Sequence, residues 1–210
     1  MNDRVKISTL VLLSLVTLYS ATQERQDALE LYRKGKYEEA IAVCLQELEV
    51  MPRRMDAYVV LGWSLLRLER YQEAFDNAAK GYQTAPNDHR LIEILGESNF
   101  YLGKHQEALK YLEEYAVLAP TGDRIETVYY LMGEIYIQLG EYNHADIALS
   151  TALYYSPNVA RWWARLGYAR EMAKDYQWAL DAYNKALNLN SSLTDAIRGK
   201  ERAQQKLGSG

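Results

Sequence analysis

The chain has 210 residues, 49% apolar and 25% charged, which is enough to bury a core and excludes a chain disordered by composition. Twenty-four Lys and Arg against 28 Asp and Glu give a net charge of −4, which argues against a dedicated nucleic-acid binder. A single cysteine, Cys44, excludes an intramolecular disulfide and any cysteine-rich zinc site.

Residues 1–20 read as a signal peptide or an amino-terminal membrane anchor. Arg4 and Lys6 precede residues 7–23, which carry no charge. A basic start followed by an apolar run is the pattern of an export segment, and its length is the shortest that spans a bilayer as a helix. Tyr19 spoils a small-x-small cleavage site, and no cysteine follows for lipid attachment. Positive residues ahead of the run would hold the start in the cytoplasm and leave the rest outside it. The expectation is an exported chain, periplasmic or membrane-anchored through residues 7–20. The alternative is an apolar helix docked on the end of the fold.

From residue 21 the chain repeats itself. Alanines fall at Ala40, Ala74, Ala108, Ala145 and Ala179, with steps of 34, 34, 37 and 34. Pro52, Pro86, Pro120 and Pro157 keep the same steps, as do Gly62, Gly96, Gly133 and Gly167. Tyr37, Tyr71, Tyr142 and Tyr176 mark a fourth position, held by His105 in the third unit. Four markers on one period define a repeat architecture. Within a unit, positions 4, 7, 8 and 11 share a helix face, as with Tyr58, Leu61, Gly62 and Leu65. The glycine lets a second helix approach, and the proline ends that helix. Units therefore fall at 21–54, 55–88, 89–125, 126–159 and 160–193. Residues 194–207 follow as a capping helix in which Ala196, Ile197, Ala203 and Leu207 cover the last unit while Arg198, Lys200 and Arg202 face water. Residues 208–210 are a flexible tail. The step of 37 places three additional residues within 121–125, a tolerated insertion or a bend, with Gly122 and Asp123 suited to a turn and a helix cap.

Leu61-Gly62, Leu95-Gly96 and Leu166-Gly167, with the recurrent alanine, tyrosine and proline, resemble the tetratricopeptide repeat family. The resemblance covers residues 21–193 and implies an all-α, right-handed superhelical solenoid of five helix-turn-helix units plus a cap. It also implies a concave groove formed by the first helices that binds a segment of a partner protein.

No catalytic motif is present: no H-E-x-x-H, G-x-S-x-G, P-loop or dinucleotide turn. His89, His105 and His144 have no second ligand at helical spacing, and Cys44 falls on an inward-packing face. Asn190-Ser191-Ser192 matches a glycosylation triplet that is common by chance. Glu38-Glu39 and Glu113-Glu114 read as solvated faces. The chain is expected to be a non-enzyme with no cofactor, no metal and no small-molecule substrate.

Positions 2, 5, 9, 12 and 13 of each unit share the face expected to line the groove. Six of these twenty-five residues are aromatic (Tyr32, Trp63, Phe100, Tyr101, Tyr130 and Tyr168), about twice the 11% of the whole chain, which is the composition of a binding surface. Arg67, Arg90 and Glu134 complete the expected contact set. Charge on the face runs from net positive in units 1 and 2 to net negative in units 3 and 4, a polarity that could fix the direction of a bound segment. The clamp with which some family members hold a chaperone's terminal carboxylate is absent in every register. The functional expectation is a protein-interaction scaffold of the cell envelope; the alternative is a structural subunit of a larger envelope machine for motility or secretion.

Overall fold

The computed structural model describes residues 27–208; the expected leader or anchor at 1–20 lies outside them. Eleven helices and no strand occur among the described residues. They are α1 (Ala28–Arg33), α2 (Tyr37–Val50), α3 (Met55–Arg67), α4 (Tyr71–Thr84), α5 (His89–Tyr101), α6 (His105–Leu118), α7 (Ile125–Leu139), α8 (Tyr142–Tyr155), α9 (Ala160–Met172), α10 (Tyr176–Leu189) and α11 (Thr194–Gly208). The chain is an all-α solenoid of helical hairpins. Each first helix (α1, α3, α5, α7, α9) packs on its own second helix and on the first helix of the next pair, whereas second helices lie farther apart and meet only through long side chains, as where Tyr82 of α4 reaches Tyr111 and Glu114 of α6. The first helices therefore form the inner wall of the array.

That placement explains their composition. Ala57, Val59, Val60, Leu61, Ser64, Leu65 and Leu66 of α3 are all buried, so this helix is enclosed on most sides. In its partner α4 only Ala74, Ala78 and Gly81 are, a narrow stripe at helical spacing. Small side chains on that stripe let the pair close. A Cβ added to Gly96 would lie 2.7 Å from Leu112, and one added to Gly133 would lie 2.6 Å from Leu149, each on the paired second helix. Gly62 differs: its added Cβ would meet Ile94, on the first helix of the next pair. Buried side chains of neighbouring pairs merge, as where Leu61 and Leu65 of α3 join Leu91, Ile94 and Leu95 of α5. No single hairpin owns its core, so the pairs stabilise one another.

Each of the four prolines lies two residues beyond the end of a second helix. Two of these loops are tied back by aromatic residues of the following helix: the Tyr58 hydroxyl donates to the Pro52 carbonyl at 3.1 Å, and Trp163 Nε1 to that of Pro157 at 2.7 Å. Inside each hairpin the turn needs a left-handed residue, supplied by Gly35, Gly103 and Gly140 and, at the equivalent place, by Glu69 and Lys174.

Two expectations are corrected. In α11 the buried residues are Ala196, Gly199 and Ala203; Ile197 and Leu207 are exposed. Only residues without bulk fit, because the ring of Tyr183 fills the space over Gly199. Asp123 does not cap α7. The cap position is Arg124, with no side-chain capping bond, and its side chain reaches the inner wall instead.

Candidate functional site

A cavity of about 500 Å³ opens on the inner wall between α1, α3 and α5. Tyr32, Tyr37, Trp63, Tyr71 and Tyr101 supply its rings, Leu66 an apolar patch, and Arg67, Arg124, Glu69, Glu93, Glu97 and Asp123 its charges. Tyr32 and Trp63 lie 5.8 Å apart between ring centroids, and Tyr71 stacks on Tyr101 at 4.5 Å. The rings thus come from three successive hairpins, held where successive first helices touch.

The floor is ionic. Glu93, only 2% exposed, accepts a hydrogen bond from Trp63 Nε1 at 3.1 Å and another from Arg124 Nε at 3.1 Å. Arg124 Nη2 donates to Glu97 at 2.7 Å. Arg124 comes from the stretch carrying the three additional residues. Gly122 leaves room there for the Tyr115 hydroxyl, which accepts a hydrogen bond from the Arg124 backbone N–H at 3.4 Å. Beyond lengthening a loop, then, the insertion delivers a guanidinium to two buried carboxylates. Burial, reinforced by the neighbouring Glu93 carboxylate and opposed by Arg124, pushes Glu97 up to about 7. Because this value is above the ordinary 4.5, the folded state holds more protons than the unfolded state between those values, and stability falls as pH rises from about 4.5 to about 7. Glu97→Gln is expected to flatten this slope and to gain up to a few kcal/mol at pH 8. Urea unfolding of both chains at pH 5 and pH 8 measures it; parallel slopes would remove Glu97 as the cause.

The other expected groove residues divide. Phe100 packs at the edge of the core that contains Leu112 and Ile135, and meets the Tyr101 ring edge-on at 5.0 Å. Tyr130 stacks on Trp162 at 4.8 Å and 12°; burial and then Glu134 push its phenol up to about 12. Tyr168 lies under the Arg165 guanidinium at 5.2 Å. Val59, Leu66, Ile137 and Ala164, also placed on the groove face by spacing, are buried in packing. Arg67 stays exposed over the Tyr37 ring with no carboxylate partner among the described residues.

Most charges on the wall are engaged between hairpins, and this replaces the polarity expected from sequence. Arg90 pairs with Asp56 and Asp88, Arg165 with Glu134 at 2.6 Å, and Arg202 with Glu171 at 2.6 Å. With paired and unpaired side chains counted together, the two recesses of the wall run in the opposite order. The first cavity carries four acidic side chains against two arginines. A recess of about 290 Å³ beside the cap carries Arg161, Arg165, Arg198 and Arg202 against Asp195.

Sequence reasoning missed Arg124, Trp162, Tyr37 and Tyr71 as wall residues. Tyr37 and Tyr71 mark the repeat by their period and also line the cavity. Cys44 is buried and burial pushes its thiol up to about 12, so it is an inert core residue. Asn190 Oδ1 accepts from the Ser192 N–H and hydroxyl, which makes that triplet a turn. Among the described residues no group of three or more His, Cys, Asp or Glu is placed to hold a metal ion.

A stacked array of helical hairpins with an open inner wall defines the chain as a helical-repeat solenoid. Residues 26–89 and 126–159 match the tetratricopeptide repeat. The chain belongs to the tetratricopeptide repeat family, and its fold is that of tetratricopeptide repeat proteins of known structure. Solved structures with the same fold include MamA from Desulfovibrio magneticus RS-1 (22% identity, 80% of this chain and 93% of that one, TM-score 0.69). YrrB, described as a tetratricopeptide repeat protein with an unusual peptide-binding site, is 20% identical over 88% of this chain and 97% of its own, with a TM-score of 0.70. The Cut9–Hcn1 hetero-tetramer of the APC/C matches at 19% identity over 84% of this chain and 34% of that one, with a TM-score of 0.72.

Proposed function

We propose that the inner wall binds an extended segment of a partner protein without chemical change, with the cavity between α1, α3 and α5 as its anchor. The observation that carries this reading is the open cavity itself: five rings surround about 500 Å³ of space that no described side chain fills. Aromatic residues around a concave site supply most of the energy of such contacts. Trp63 and Tyr130 are half-buried and pack against their neighbours, so their alanine variants would lose fold as well as contact. Tyr101, 48% exposed, is the better probe. A photo-cross-linking residue at Tyr101 or Arg67 is expected to capture a partner in cells, whereas one at Val117 on the outer face captures none. Adducts from Val117 alone would overturn the reading.

That outcome would favour the second reading, a structural subunit of a larger assembly. Its support is the row of exposed apolar side chains on second helices: Val117, Ile147, Tyr154 and Trp178. Export to the cell envelope rests on the basic and apolar pattern of residues 1–20 alone. Mass spectrometry of the mature amino terminus and cell fractionation test it; a full-length soluble cytoplasmic chain would refute it.

A further inference from the structure

We propose that the cavity between α1, α3 and α5 is a subsite for a cationic side chain, arginine or lysine, of the segment that lies in the groove; this rests on the groove reading above. Two carboxylates at its floor share one guanidinium. Arg124 reaches Glu93 at 3.1 Å and Glu97 at 2.7 Å, and no other arginine or lysine among the described residues touches either. Both carboxylates are withdrawn from solvent, with side chains 3% and 14% exposed. Once Glu97 is ionised, one negative charge is in excess where water screens it poorly. A second cation entering from the groove would balance it.

The walls suit the same guest. Trp63, Tyr32, Tyr71 and Tyr101 line the cavity, and a guanidinium or ammonium is drawn to aromatic rings. Glu69 and Asp123 add negative charge at the rim. Arg67 opposes a cation, but it is held at the Tyr37 ring and hydroxyl and does not reach the floor. A guest carboxylate could reach Arg67, yet it would face the unbalanced pair behind it.

Proton linkage gives the subsite a signature. Glu97 is faced by Glu93 of its own helix, by Arg124 from the loop before α7, and by Tyr71 and Tyr101; Tyr32, Arg67, Glu69 and Asp123 complete the surrounding charges. Burial holds Glu97 near 7, so a cation binds the ionised form and expels the proton held below that pH. Affinity should rise about tenfold between pH 6 and pH 8. A guest anion would show the reverse slope.

The test uses the full chain and labelled tetra-arginine, with tetra-citrulline as its neutral isostere, read by fluorescence anisotropy. Tetra-arginine is expected to bind at least tenfold tighter than tetra-citrulline and tighter at pH 8 than at pH 6. Glu97→Gln should weaken binding and abolish the pH dependence. Glu49→Gln with Glu107→Gln, which removes charge elsewhere on the surface, should change neither. Equal binding of the two peptides, tighter binding at pH 6, or a slope that survives Glu97→Gln would overturn the subsite. The wild-type slope alone decides if Glu97→Gln does not fold. Cross-links at Tyr101 without arginine preference would sink this inference and leave the groove reading. Arginine preference without cross-links there would do the opposite.

Discussion

Replacing Arg124 with methionine is expected to lower the stability of the fold by about 2–3 kcal/mol at pH 8 and by much less at pH 5. Removing one partner of a buried ionic group leaves uncompensated charge and costs about 3–5 kcal/mol when the site is dry; the Arg124 side chain is 40% exposed, so the figure is reduced for solvent screening. What stays behind is two carboxylates, Glu93 and Glu97, deep in the wall without a cation. The repulsion is relieved when Glu97, already pushed up by burial, takes up a proton. The folded variant then binds more protons than its unfolded chain, and its stability rises as pH falls. Urea denaturation at the two pH values measures this. Arg124→Met combined with Glu97→Gln should recover much of the loss, because the two sites share one interaction. A loss equal at both pH values would mean that Arg124 acts through loop packing and not through charge.

Arg124 marks the boundary between what the repeat pattern encodes and what only the folded chain assembles. The repeat was legible because each marker answers to a local constraint: a glycine where helices touch, a proline where one ends, an alanine on a narrow stripe. Tyr32, Trp63 and Tyr101 were also legible, since position within a unit fixes which face a residue occupies. Arg124 was not. It belongs to no repeat position, and its target is a pair of carboxylates 27 and 31 residues earlier. Only the folded loop brings them together. The charge polarity failed because a count of charges ignores pairing: Arg90, Glu134 and Glu171 count as groove charges in sequence, but each is matched across a hairpin boundary, Arg90 by Asp56 one repeat earlier and Glu134 and Glu171 by Arg165 and Arg202, each 31 residues later. Phe100 illustrates the converse, a groove position by spacing that the adjacent core of α6 and α7 draws inward.

Gly199→Val is expected to detach the cap and cost roughly 2–4 kcal/mol, with the end of the chain becoming sensitive to protease. A Cβ at Gly199 would lie within 2.2–2.5 Å of the Tyr183 ring and hydroxyl, an overlap that shifting one side chain does not relieve. Tyr183 is 1% exposed, and its hydroxyl donates to Glu171 at 2.7 Å. Glu171 in turn takes two hydrogen bonds from Arg202 of α11, at 2.6 and 2.8 Å. The ring therefore cannot swing aside without breaking the contact that ties α11 to α9, and it also fills the space over Gly167. Loss of α11 would uncover Ala179, Tyr183 and Ala186, which pack against its Ala196 and Ala203. Gly199→Ala should show a smaller loss of the same kind. Limited proteolysis with mass mapping, alongside a thermal melt, reads both effects: early cuts within 190–208 and a lowered Tm are the expected result. A Gly199→Val chain that melts like the wild type and resists cleavage there would show that α11 is held by its ion pair alone.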